Sequence, residues 1–172
     1  MDASDLQVIA ARFVLGTVPS WELPGVAEAL LDGGCNSRAV IELATLRHPT
    51  MADAGPLLQR LLDEAGVRWP SVDDAVWIVL RCELDRIARR VVEPYDGLGR
   101  VMAVVDACGL HDRSRVHVGD SHGLERLVGA YWDYDDLDDM SRVGAPAHVD
   151  QARQELDDDV VRRAREWMDE HA

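Results

Sequence analysis

Lysine is missing from this chain: all 18 basic residues are Arg. The guanidinium is planar and pairs with carboxylates two bonds at a time, so the basic set is suited to carboxylate partners. Those partners are in excess, with 32 Asp and Glu giving a formal charge of −14. A surface of that sign repels a phosphate backbone and an anionic membrane face, which argues against nucleic acid and membrane as partners. Aromatic residues are also scarce, at 5% with one Phe, and strand-forming runs are correspondingly few. The three cysteines, Cys35, Cys82 and Cys108, are far apart and form no C-x-x-C pair, which excludes a disulfide framework and points to reduced thiols. No apolar run has the length of a membrane span. The opening Met1-Asp2-Ala3-Ser4-Asp5 is acidic and lacks the basic and apolar regions of a secretory signal. A cytoplasmic location is expected.

What is present is an ordinary globular balance, 47% hydrophobic and 29% charged over 172 residues, enough for one domain spanning 1–172. Helical periodicity recurs along it. Ser4 opens a first helix with Leu6, Ile9, Ala10, Phe13 and Val14 on one face, stopping at Gly16. A second follows the Thr17-Val18-Pro19-Ser20 entrance, becomes regular at Pro24 and stops at Gly33-Gly34. Asn36 or Ser37 caps a third, which ends before His48-Pro49. A fourth runs over about 52–65 with Leu57, Leu58, Leu61 and Leu62, and Gly66 ends it. The clearest helix spans 71–93, with Ser71 as cap and Asp73 and Asp74 complementing the dipole. Its first half is apolar almost all round, Trp77 included, and the second half keeps Leu84, Ile87, Ala88 and Val91 on one side, as a central helix does.

A sixth helix is expected over about 95–108, then a loop over 110–122 and a short helix with Leu124, Leu127 and Val128. Residues 133–142 read as an acidic connection. The last helix begins near Pro146, aligns Val149, Ala152, Leu156, Val160, Ala164 and Trp167, and sets Asp158 and Asp159 four residues before Arg162 and Arg163. The expected fold class is all-α, about eight helices in an orthogonal or bundle-like domain with the 71–93 helix at its centre.

Three motifs bear on chemistry. The run Arg115-Val-His117-Val-Gly119-Asp120-Ser-His122-Gly123 is similar to the metal-binding strand end of haloacid-dehalogenase phosphatases and to the first motif of metallophosphatases. The former need an upstream Asp-x-Asp strand and the latter need later Gly-Asp and Gly-Asn-His motifs, which this sequence lacks; Asp120 as the cap of the next helix is the plainer reading. Imidazole and carboxylate at His117, Asp120 and His122 together suit Zn²⁺ or Mn²⁺, and they are the ligands of an alternative in which the protein is a metal-dependent hydrolase. Third, Asp133, Asp135, Asp136, Asp138 and Asp139 lie among Tyr131, Trp132 and Tyr134. That run lacks the Gly and distant Glu of an EF-hand loop. Aromatic anchors inside an acidic rim suit a basic protein partner, whereas in the plainer reading Tyr131 and Trp132 finish a helix and pack inward. Trp21, in a helix entrance, is expected to be partly exposed.

The stretch from Leu15-Gly-Thr-Val-Pro-Ser-Trp-Glu-Leu-Pro-Gly to Leu46, with the later Leu127-Val-Gly-Ala-Tyr-Trp-Asp-Tyr-Asp-Asp, resembles patches of uncharacterised small helical proteins of GC-rich bacteria. The resemblance implies a bacterial cytoplasmic setting and carries no catalytic residue with it. The leading expectation is a non-enzymatic, cofactor-free module that binds a basic protein through Tyr131, Trp132, Asp133, Tyr134, Asp135, Asp136, Asp138 and Asp139, as immunity proteins and antitoxins bind theirs. The sequence sets no oligomeric state.

Overall fold

The computed structural model describes residues 3–110, 122–142 and 146–172. Among them are eight α-helices and no strand, the all-α class expected from the periodicity: α1 Ala3–Val14, α2 Leu23–Asp32, α3 Arg38–Ala44, α4 Met51–Glu64, α5 Val72–Ala88, α6 Pro94–Ala107, α7 Glu125–Arg142 and α8 Pro146–Glu170. None of them is long and apolar enough to cross a membrane. Contacts within the chain divide it into two units, Met1–Val79 and Leu80–Ala172, with α5 continuous through the boundary.

In the first unit, α2 packs on α3, α3 on α4 and α1 on α4. The core takes Leu6 and Ala10 from α1, Leu23, Ala27 and Leu30 from α2, Val40 and Leu43 from α3, and Leu57, Leu58, Leu61 and Leu62 from α4. Each set recurs at three- and four-residue spacing, so one stripe per helix leaves water. Phe13 and Trp69 meet edge to face at the margin of this core, with ring centroids 5.8 Å apart. The starts of the helices are fixed by side chains. Ser37 accepts from the Val40 amide, and Thr50 and Asp53 form a reciprocal capping box at the head of α4. Trp21 stands in a short 3-10 turn, Ser20–Glu22, and is 68% exposed, in line with its expected position.

In the second unit, α7 packs on α8 and α6 on both. Buried apolar side chains include Leu98, Val101 and Val105 of α6, Leu127 and Val128 of α7, and Val160, Ala164 and Trp167 of α8. Ala152 and Leu156, expected on the same α8 stripe, are only half-buried. Asp159 takes both Arg162 and Arg163, and Asp158 pairs instead with Arg90, so only half of the expected α8 charge pairing forms along the helix.

Three expectations are corrected. The α5 helix stops at Ala88, five residues before the expected end at 93. The Arg90 amide bonds to the Ile87 carbonyl and the Val91 amide to that of Arg86, with Arg90 at φ +55°. These are the two bonds of a Schellman stop, made by the same pattern that ends α4 at Gly66, but here without the glycine that signals it. Past that stop Val91 is 63% exposed rather than part of the buried stripe. Trp77 is half-buried rather than core. The largest correction concerns 133–142, which is not a connection but the second half of α7.

Candidate partner-binding face

Because 133–142 is helical, the acidic run is sorted onto faces. Tyr134 is completely buried, and Asp138, one turn on, is half-buried. Trp132, Asp133, Asp135, Asp136, Asp139 and Met140 are exposed, Trp132 to 54% and Met140 to 51%. The eight residues expected to meet a partner are thus brought onto one helix but not onto one surface. Tyr134 points inward and offers a partner nothing.

The inward side holds the face in place. Tyr134 donates its hydroxyl to Asp157 Oδ1 of α8 at 2.5 Å. Burial, and then this hydrogen bond to a carboxylate, push its ionisation well above the ordinary tyrosine value. The Arg153 guanidinium lies 5.6 Å from the Tyr134 ring centre and pairs with Asp138. Tyr95 at the start of α6 stacks on Tyr131 with centroids 5.5 Å apart and planes within 4° of parallel, and meets the Tyr134 ring at 5.1 Å. Its hydroxyl is also raised, first by a hydrogen bond with Tyr131 and further by the nearby charges of Asp135 and Asp138. Three tyrosines, an arginine and two aspartates therefore clamp α7 between α6 and α8.

The outward side remains charged. Among the described residues no basic side chain forms an ion pair with Asp133, Asp135 or Asp136. Beside them a groove of about 390 Å³ opens between α6 and α7. Gly99, Met102 and Ala103 of α6 line it with Tyr131 and Trp132, and Asp106 and Asp135 add carboxylates. The α6 contribution was missed in the sequence, where the small pair Gly99 and Ala103, four residues apart, was its only trace. A smaller pocket of about 210 Å³, between the start of α7 and the end of α8, has mixed charge from Glu125, Arg126, Arg163 and Glu166.

The chain matches no family model, no curated protein and no solved structure. The geometry alone therefore carries the functional argument.

Of the alternative metal ligands, His117 and Asp120 lie outside the described residues. His122 is buried at 8% exposure, and its carbonyl accepts the Trp167 indole N–H at 2.7 Å. Among the described residues no three His, Cys, Asp or Glu side chains are grouped to hold a metal ion. Cys35, Cys82 and Cys108 are unbridged and half-buried.

Proposed function

We propose that this protein is a non-enzymatic binding module of a bacterial cytoplasm that holds a basic partner protein against α7, in the manner of an immunity protein or antitoxin. One observation carries the reading: an exposed tryptophan, Trp132, stands among the exposed carboxylates of Asp133, Asp135, Asp136 and Asp139 on a helix clamped from behind. A rigid aromatic anchor costs little entropy to bury, and like charges around it raise the encounter rate with a cation-rich surface. The −14 net charge adds long-range steering of the same sign.

The test begins with tagged protein purified from its host at low salt and identification of what elutes as salt rises. With a partner in hand, Asp133, Asp135 and Asp136 are replaced together by Arg. Asp138 is left intact, because it pairs with Arg153 and its loss would disturb the clamp. The association rate is expected to fall by roughly tenfold or more at low salt, with a smaller change in dissociation. An unchanged association rate overturns the acidic-face reading.

A further inference from the structure

Gly129 lies in the interior of α7, where a glycine weakens a helix relative to alanine. Its backbone is not left-handed, and a β-carbon there would meet nothing within 4 Å beyond its own helix turn. Gly97 of α6, by contrast, has the Ile87 side chain where its β-carbon would be. Nothing inside the chain therefore calls for a glycine at 129, and the residue is exposed. At three- and four-residue steps along the same side of the helix stand Trp132 and Asp133, then Asp136, then Met140, all exposed. Together they form one ridge about 17 Å long. Among the described residues no basic side chain forms an ion pair with its two carboxylates, Asp133 and Asp136.

We propose that this ridge seats a basic amphipathic helix of the partner protein, its axis crossing α7 at Gly129. This rests on the binding reading above and names the element that the face recognises. Two crossing helices approach most closely at one point, and a small residue there lets the axes come within about 8 Å. A single glycine beside large side chains is a notch of that kind. Trp132, one turn on, and Met140 then meet the apolar stripe of the incoming helix, the methionine adapting its shape to what it touches. Asp133 and Asp136 take the basic residues that border such a stripe. Charge selects the occupant. A second copy of this chain would set those two carboxylates against their own kind, whereas a basic helix pairs them.

The test uses the full chain labelled with ¹⁵N and follows the Gly129 amide and the Trp132 indole, assigned from Gly129→Gln and Trp132→Phe. The probe is a peptide of about 18 residues built from Leu, Ala and Arg, with its apolar residues at helical spacing. Its control carries proline at the centre, which keeps the charge and breaks the helix. The helical peptide is expected to move both signals saturably and to gain helix by circular dichroism, at a half-saturation roughly tenfold below that of the control. Gly129→Gln, uncharged and a good helix former, should weaken the helical peptide by about tenfold or more by holding the axes apart. The same variant should melt about 2–4 °C higher when free, from its gain in helix propensity. A control that binds as well as the helical peptide, or an unchanged affinity in Gly129→Gln, overturns the proposal. So does a lower melting temperature in that variant, which would make the glycine a need of this chain's own packing. Signals that shift with protein concentration alone assign the ridge to a second copy and overturn it too. A host partner slowed by the triple aspartate variant but indifferent to Gly129→Gln sinks the helix docking and leaves the acidic-face reading standing. An unchanged association rate in the triple variant removes both.

Discussion

The hydroxyl of Tyr134 on α7 and the carboxylate of Asp157 on α8 meet at 2.5 Å, with the tyrosine ring fully buried. Burial disfavours the phenolate, and so does the adjacent carboxylate, so the folded protein keeps this proton well beyond the ordinary value near 10. A raised ionisation constant gives stability that is present in full below the unfolded value and is lost as pH rises through the folded one. Above about pH 10 the stability should therefore decline by about 1.4 kcal/mol per pH unit from this group alone. Tyr95, raised in the same direction by its hydrogen bond with Tyr131, adds to the slope. Tyr134→Phe is expected to cost about 2 kcal/mol at neutral pH through the lost bond to a charged acceptor, and to flatten the alkaline decline. Urea unfolding at intervals between pH 7 and 11 measures both. An alkaline slope identical in the two proteins removes Tyr134 from the account.

A second close approach fixes where α6 starts against the end of α5. A β-carbon on Gly97 would lie 2.4 Å from Ile87 Cγ1, 2.8 Å from Cδ1 and 3.1 Å from Val92 Cγ2. Ile87 is completely buried and has little room to retreat. Gly97→Ala gains helix propensity, yet overpacking of this kind costs about 1–3 kcal/mol and should win. In an Ile87→Ala background the two closest contacts are gone and only Val92 Cγ2 at 3.1 Å remains, so the same substitution should cost much less. A double-mutant cycle by chemical denaturation reads the coupling, and additive effects would show that the two residues do not contact as described.

How much of this was legible in the sequence follows from what each element uses to define itself. Helices delimited by Ser37, Ser71 and Gly66 were readable, because a hydroxyl cap or a left-handed glycine is a local device written in one residue. The end of α5 was not, since Arg90 adopts the left-handed conformation where glycine is usual. The second half of α7 was misread for a different reason. Its inward residues, Tyr131, Tyr134 and Asp138, are polar at their tips and become buried or half-buried only because Tyr95, Arg153 and Asp157 come from elsewhere in the chain to meet them. No apolar stripe marks such a helix. The acidic, aromatic composition of the candidate face was legible; its division into an inward clamp and an outward surface needed the partners from α6 and α8.

The exposed caps give a prediction at the other end of the pH scale. The hydroxyl and amide of Thr50 both bond to Asp53 Oδ2, at 2.7 and 2.9 Å, and hold that carboxyl below its ordinary value of 3.8. A lowered value gives stability that is present above the unfolded constant and is lost as pH falls through the folded one. Ser71 holds Asp74 down in the same way at the head of α5, chiefly through its hydroxyl at 2.7 Å. Thr50→Ala and Ser71→Ala should each lower the melting temperature at pH 7, since both caps also accept a backbone amide, from Asp53 and Asp74 respectively. Below the ordinary aspartate value the carboxylate's share of the difference is gone, so the gap between variant and parent should narrow as pH is taken from 5 to 2. The hydroxyl-to-amide bond does not titrate and sets the gap that remains. Melting curves across that range separate the two parts. A gap of constant width would mean that the hydroxyl-to-carboxylate bonds contribute nothing to either cap and that the hydroxyl-to-amide bonds account for the whole difference.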